Sequence, residues 1–183
     1  MAAVELLDPR PGERILDLCA APGGKTTQAA ERMGDQGEVL AWDIEPRRLA
    51  RVERAVERLG LKSVRVLSGL SLPEVLALGP FQKILADVPC TGTGIFARRP
   101  EGRWKLKSED FLKLPDLQRR ILERALSALA PGGALVYSTC SLEPEENEQV
   151  ATGQPGFEAR RMETTLPEEG VRDGSFAARL EMM

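Results

Sequence analysis

The sequence predicts an α/β fold built on a mostly parallel, twisted sheet with helices on both faces. Short apolar runs and amphipathic helical stretches alternate along residues 14–138, the pattern of repeated βαβ units, and right-handed crossovers then leave few topologies. A glycine-rich turn, Pro22-Gly23-Gly24, joins the first run to its helix. Polar and sulfur-bearing residues fall where these runs end: Asp17 and Cys19, Asp43, Asp87 and Cys90, Thr139 and Cys140. In open α/β sheets, ligands bind outside the carboxyl ends of the strands.

Each element follows from local chemistry. Residues 14–18 form the first strand. A helix with Thr26 and Thr27 in its first turn follows, stopped by Gly34 and Gly37. Residues 38–42 form the second strand. Pro46 then opens a helix whose Leu49, Val52, Val56 and Leu59 recur at three- to four-residue spacing, with Arg and Glu between them, up to Gly60. Residues 63–67 and 81–86 read as the third and fourth strands. The fourth runs into a loop, residues 87–94, whose Pro89, Gly92 and Gly94 suit neither helix nor central strand. Leu117, Ile121, Leu122, Ala125, Leu126 and Leu129 form one long helical stripe that Pro131-Gly132-Gly133 should end. Residues 134–138 form the fifth strand. A short acidic helix is expected over residues 144–150, and two weaker strands over 157–162 and 176–180. No repeat, low-complexity stretch or linker divides the chain, so residues 1–183 are expected to form a single domain.

Composition narrows the function. With 183 residues, 42% hydrophobic and 29% charged, the chain can bury a core and is not a disordered tail. No apolar run approaches the roughly 18–20 residues that cross a bilayer, and no secretory signal opens the chain, which favours the cytoplasm. Histidine is absent, excluding a His base, a Ser–His pair and a His-containing zinc site within this chain. The three cysteines form no CxxC pair, so neither a metal cluster nor a disulfide framework is expected. Catalysis must draw on thiols, carboxylates, Lys, Tyr or a bound cofactor. The net charge of −3 hides a basic block, because residues 98–142 carry nine basic and five acidic groups.

Four motifs bear on chemistry. In Cys19-Ala20-Ala21-Pro22-Gly23-Gly24-Lys25-Thr26-Thr27, Cys19 stands where a triphosphate-binding loop needs glycine, and the GxGxxG fingerprint also fails. The turn is either a tight strand–helix connection or a place where a ligand approaches the backbone closely. Asp43 follows Gly23 by 20 residues, the spacing at which an acid takes ribose hydroxyls in nucleoside-binding halves. Either Cys90 or Cys140 alone fits a small buried hydrophobe, but two thiols at strand tips beside a nucleoside site point to nucleophilic chemistry. The segment Arg98-Arg99-Pro100-Glu101-Gly102-Arg103-Trp104-Lys105-Leu106-Lys107 suits phosphate contacts and base stacking. A solvated charged loop with a half-buried Trp104 would read the same.

Leu18 to Thr26, Asp87 to Gly94, and Tyr137 to Ser141 with Glu145-Glu146-Asn147-Glu148 resemble, in order, the signatures of the Sun/Nop2 (NSUN) RNA (cytosine-5)-methyltransferases. The bacterial members of that family are ribosomal-RNA enzymes of the RsmB and RsmF type. Residues 173–180 resemble its last core strand. The resemblance implies a class I, Rossmann-like methyltransferase fold with S-adenosyl-L-methionine (SAM) as cofactor. It implies methyl transfer to C5 of cytosine in RNA, ribosomal RNA favoured over transfer RNA, through a covalent cysteine–C6 adduct. By resemblance Cys140 is the nucleophile and Cys90 assists product release. Asp87 meets the cytosine edge and Lys25 lies near the reacting thiol. Cys19, Ala20, Ala21, Pro22, Gly23, Gly24, Lys25, Asp43 and Asp87 would hold the cofactor, and Arg98, Arg99, Arg103, Trp104 and Lys105 the RNA, with no metal. The two sulfurs are expected to face each other across a space the size of a pyrimidine. DNA-type enzymes use the Pro-Cys thiol, here Cys90, for the same adduct; the second thiol at Cys140 favours the RNA type.

Two departures qualify the resemblance. Family members normally carry an N-terminal RNA-binding segment before the core, whereas residues 1–7 begin within the element preceding the first strand. A missing N-terminal region or a separate RNA-binding partner would then supply specificity. The family's adenine-contacting Asp after the third strand is absent from Leu67-Ser68-Gly69-Leu70-Ser71, so adenine would be met by backbone groups or bound more weakly. A SAM- or RNA-binding module without activity of its own is the alternative to an enzyme.

Overall fold

The computed structural model describes residues 2–168 and 170–183. The strands are β1 (Arg14–Asp17), β2 (Glu38–Ala41), β3 (Val64–Val66), β4 (Phe81–Asp87), β5 (Leu129–Thr139), β6 (Phe157–Thr165) and β7 (Ser175–Met182). They form one sheet in the order β3-β2-β1-β4-β5-β7-β6. Strands β1 to β5 pair in parallel, while β7 runs antiparallel to both β5 and β6. The strand order reverses between β1 and β4, which opens a crevice at their carboxyl ends. The helices are α1 (Ala2–Leu7), α2 (Gly24–Arg32), α3 (Pro46–Leu59), α4 (Leu72–Leu76), α5 (Gly102–Lys105), α6 (Asp110–Leu126) and α7 (Glu148–Ala151).

Successive strand residues point to opposite faces, and the core divides accordingly. Ile15, Leu85, Val136 and Ala177 pack with Leu6 and Leu7 of α1 and Ala30 of α2. Their chain neighbours Leu16, Ile84, Leu135 and Ala178 pack with Leu122 and Ala125 of α6. All are buried, so helices cover both faces as the alternation predicted. Gly23 adopts φ +108, and a Cβ there would stand 3.1 Å from the Val52 Cα. Glycine therefore lets α3 close against the turn after β1.

Several expectations need correction. The helical stripe stops at Leu126, where the Ser127 hydroxyl donates to the Arg124 carbonyl (2.7 Å), and Leu129 is already in β5. Pro131-Gly132-Gly133 does not precede the fifth strand but lies inside it, as an irregularity opposite Phe81 and Lys83. A Cβ on Gly133 would meet the Gln82 carbonyl oxygen at 2.8 Å, so the strands close only around a glycine. Residues 144–147 form turns, and only Glu148–Ala151 is helical. The unexpected α4 is opened by a capping box, with the Ser71 amide and hydroxyl both donating to Glu74. Among the described residues, no helix is long and apolar enough to cross a membrane.

Candidate active site

A cleft of about 690 Å³ opens at the carboxyl ends of the central strands, within the roughly 300–1,000 Å³ of small-molecule sites. On one side lies the β1–α2 turn. Asp43, after β2, accepts the Ala21 N–H (3.2 Å) and the Glu45 N–H (3.0 Å). Arg48 closes the corner, 3.5 Å from Asp43 Oδ2 and donating to the Ala21 carbonyl at 3.0 Å. A carboxylate offers about four lone-pair sites, so two backbone donors leave capacity for ligand hydroxyls. Cys19, Ala21, Asp43 and Asp87 line the cleft, whereas Ala20, Pro22 and Gly23 belong to the turn and Gly24 and Lys25 open α2, outside the lining. Burial raises the Cys19 thiol, which keeps it protonated. The stretch after β3 brings no acid to the cleft. Its wall there is apolar, made by Leu72 and by Ile44, which is 79% exposed.

Asp17 ends β1 beneath this turn. It accepts the Thr26 hydroxyl through Oδ2 (2.6 Å), while its buried Oδ1 has no partner. Burial pushes its carboxyl up to about 7, Asp87 adds to the rise, and the Thr26 hydrogen bond and Lys25 oppose it.

On the other side the tips of β4 and β5 run side by side, with Asp87 opposite Ser138. Asp87 is held by the Lys25 ammonium at 2.6 Å and the Ser138 hydroxyl at 2.6 Å. One step beyond, Cys90 Sγ and Cys140 Sγ are 3.2 Å apart, and the Cys140 N–H donates to Cys90 Sγ at 3.3 Å. The sulfurs are in contact, so the expected pyrimidine-sized gap between them does not exist. A ring can reach both only by lying in the cleft against the pair. The hydrogen bond shared with Cys90 holds the Cys140 thiol below its ordinary range; Lys25 assists, while burial and Asp87 oppose. The same bond, together with burial, raises Cys90. The two thiols shift in opposite directions, which favours the thiolate on Cys140.

The basic segment is divided by the fold. Arg99 and Lys105 line the cleft. Arg98 instead faces Asp173 at 3.2 Å. Arg103 lies over the Phe96 ring, 5.5 Å from its centroid, in a shallower groove alongside. Trp104 is 88% exposed, not half-buried. Arg120 and Arg124 of α6 reach the cleft as well. Sequence reasoning passed over them, although they flank the apolar stripe one helical turn apart. It also assigned no role to Glu146 and Asn147, which are buried behind the two cysteines.

A seven-strand sheet in this order, reversed at β7 and with its cleft at the switch point, is the fold of Rossmann-like SAM-dependent methyltransferases. A precorrin-6y C5,15-methyltransferase from Geobacter metallireducens, 11% identical, shares this fold with a TM-score of 0.65 over 100% of this chain and 85% of its own. The profile of the 16S rRNA methyltransferase RsmB/F family matches residues 4–154, and the chain belongs to that family. Ribosomal RNA small subunit methyltransferase B of Yersinia enterocolitica is 45% identical over 170 residues, and that of Yersinia pseudotuberculosis 44% over 169. Each match covers 92% of this chain but 38% of the relative, so the chain spans little more than a third of their length. NSun6 from Pyrococcus horikoshii, solved with SFG, superposes with a TM-score of 0.88 at 30% identity, over 98% of this chain and 50% of that one.

Proposed function

We propose that this chain is the catalytic domain of a cytoplasmic RNA (cytosine-5)-methyltransferase that uses SAM, acts on ribosomal RNA and employs Cys140 as nucleophile. The observation that carries this reading is the pair of sulfurs in contact at the strand tips, opening on a nucleoside-sized cleft lined with cations. The names of the RsmB relatives support a ribosomal-RNA substrate, and the SFG bound to NSun6, a SAM analogue, supports the cofactor.

The residues present fit SAM. Asp43 would take the ribose hydroxyls, Ile44 and Leu72 offer apolar walls for a flat ring, and Gly23 keeps the turn compact. When bound, SAM supplies an electrophilic methyl group on a sulfonium. Cytosine C5 alone is a poor nucleophile. The Cys140 thiolate forms a bond to C6, and the C5–C6 π pair becomes available at C5. Asp87, fixed by Lys25 and Ser138, meets the cytosine edge and favours the protonated ring that makes C6 electrophilic. After methylation a base, with solvent water the acceptor at hand in the open cleft, takes the C5 proton. The C5–H pair re-forms the C5–C6 double bond, the C6–S bond breaks, and its electrons return to the Cys140 sulfur. Cys90, in contact with that sulfur, is placed to assist this last step.

The test is incubation with SAM and RNA containing 5-azacytidine, which arrests the reaction at the adduct. A denaturant-stable protein–RNA species is expected with the parent and with Cys90→Ala, and none with Cys140→Ala. An adduct lost only in Cys90→Ala would replace this reading by the DNA-type use of the Pro-Cys thiol. Absence of both an adduct and calorimetric SAM binding would reduce the chain to a non-catalytic module.

A further inference from the structure

We propose that Glu146 and Asn147 are positioning residues: two consecutive buried side chains, each bracketing one of the two cysteines, that together hold the sulfurs in contact. The proposal rests on the reading of Cys140 as nucleophile, and its test separates the two.

Cys90 lies between Pro89 and Thr91. The Pro89 carbonyl accepts from Gln118 Nε2 at 2.9 Å. The Thr91 N–H donates to Glu146 Oε1 at 3.0 Å, and the Thr91 hydroxyl donates to Oε2. Gln118 Nε2 also reaches Glu146 Oε1 at 2.9 Å, so the two ends of the Cys90 loop share one anchor. Cys140 lies between Thr139 and Ser141. The Thr139 hydroxyl donates to Asn147 Oδ1 at 2.6 Å, and Asn147 Nδ2 donates to the Ser141 carbonyl at 3.0 Å. The two halves meet where the Thr91 and Ser141 hydroxyls lie 3.1 Å apart. A further bond, from the Tyr137 hydroxyl to the Glu146 carbonyl, ties this dipeptide to β5.

Glu146 is 0% exposed, and Asn147 and Gln118 are also buried. Enclosing a carboxylate is costly unless donors satisfy it, and a well-packed apolar replacement is often as stable. What the carboxylate provides here is geometry. Gly94, at the far end of the Cys90 loop, is tied to the Cys140 carbonyl at 3.0 Å and to Gly174 at 2.8 Å, and Glu146 constrains the near end, around Cys90 itself. Because Glu146 and Asn147 are adjacent in the chain, the Cys90 loop cannot shift without shifting its register against the Cys140 loop. The two sulfurs then stay in hydrogen-bonding reach of each other.

The readout is the pH profile of Cys140 alkylation by iodoacetamide, followed by peptide-resolved mass spectrometry on the full chain without RNA or SAM. The charged and titratable groups near the pair are Cys90, Asp87, Lys25 and Tyr137, with Glu146 behind Cys90. In Glu146→Gln, folded by circular dichroism, the Cys140 inflection should rise by about one pH unit, leaving about tenfold less thiolate at any pH well below both inflections. The more basic thiolate is also the better nucleophile, so alkylation in that range should slow only about threefold. A superimposable profile in the folded variant overturns the clamp alone. A parent Cys140 that alkylates like an ordinary free thiol overturns the nucleophile assignment and the clamp with it. Should Glu146→Gln fail to fold, Thr91→Val, which removes one donor to Glu146, should move the inflection the same way. An unmoved profile in that variant also overturns the proposal.

Discussion

Asp17→Asn should make the protein more stable, and increasingly so as pH rises. The Asp17 carboxyl is buried at the tip of β1, Oδ2 takes the Thr26 hydroxyl, and Oδ1 has no partner. Its ordinary value of 3.8 is pushed up to about 7, first by burial. In the unfolded chain the proton leaves near pH 4, in the folded chain near pH 7. Between these values the folded state holds the extra proton, so stability falls as pH rises and levels off above about 7. The full difference corresponds to about 4 kcal/mol, of which roughly 2–3 kcal/mol develops between pH 5 and pH 8. The asparagine keeps the acceptor for Thr26 and does not titrate. Ionisable groups remote from Asp17 are common to both proteins and cancel in the comparison, while Asp87 and Lys25, which act on Asp17 in opposite directions, leave only a partly offsetting difference. Urea denaturation of parent and variant at pH 5 and pH 8 reads the effect directly. The stability gap should widen by about 2–3 kcal/mol in favour of the variant. A constant gap, or a variant that loses ground at pH 8, would refute the assignment of Asp17 as a strained, proton-holding carboxyl.

Three further outcomes follow from the geometry. Gly94→Ala would place a Cβ 2.5 Å from the Gly174 carbonyl oxygen and 2.9 Å from that of Cys140, so a loss of about 1–3 kcal/mol in thermal unfolding is expected, and an unchanged melting temperature would contradict this packing. Asp43→Asn should weaken SAM binding, measured calorimetrically, by about 10- to 100-fold, the worth of a charged hydrogen bond of roughly 1.5–3 kcal/mol, and an unchanged affinity would remove Asp43 from the cofactor site. Replacing Arg120 and Arg124 together by Ala should flatten the slope of log affinity for single-stranded RNA against log salt by about 1.4, at roughly 0.7 per phosphate contact, and an unaltered slope would place the RNA elsewhere.

The parts of the fold legible in the sequence were those with local causes. Alternating apolar runs gave the five parallel strands, and the tail strands near Phe157 and Phe176 paired as a hairpin. Strand tips were legible because a cleft-lining polar residue ends an apolar run, as at Asp43 and Asp87. Elements resting on non-local packing were not. Pro131-Gly132-Gly133 reads as a turn in any local window, and only the approach of Gln82 shows why it sits inside β5. Glu146 stands in a run of acids that looks solvated, and its burial depends on Thr91 and Gln118, both distant in sequence. The contact between Cys90 and Cys140 spans 50 positions, and motif spacing carries no information about a distance set by strand register.

The measurement that bears most directly on the proposed chemistry is tritium release from RNA labelled at cytosine C5, followed alongside methyl incorporation from SAM. Substitution at C5 through a Cys140 adduct requires one C5 hydrogen to leave for every methyl group gained, and both signals to vanish in Cys140→Ala. Methyl incorporation with the tritium retained would contradict the account, because the methyl group would then sit on another atom.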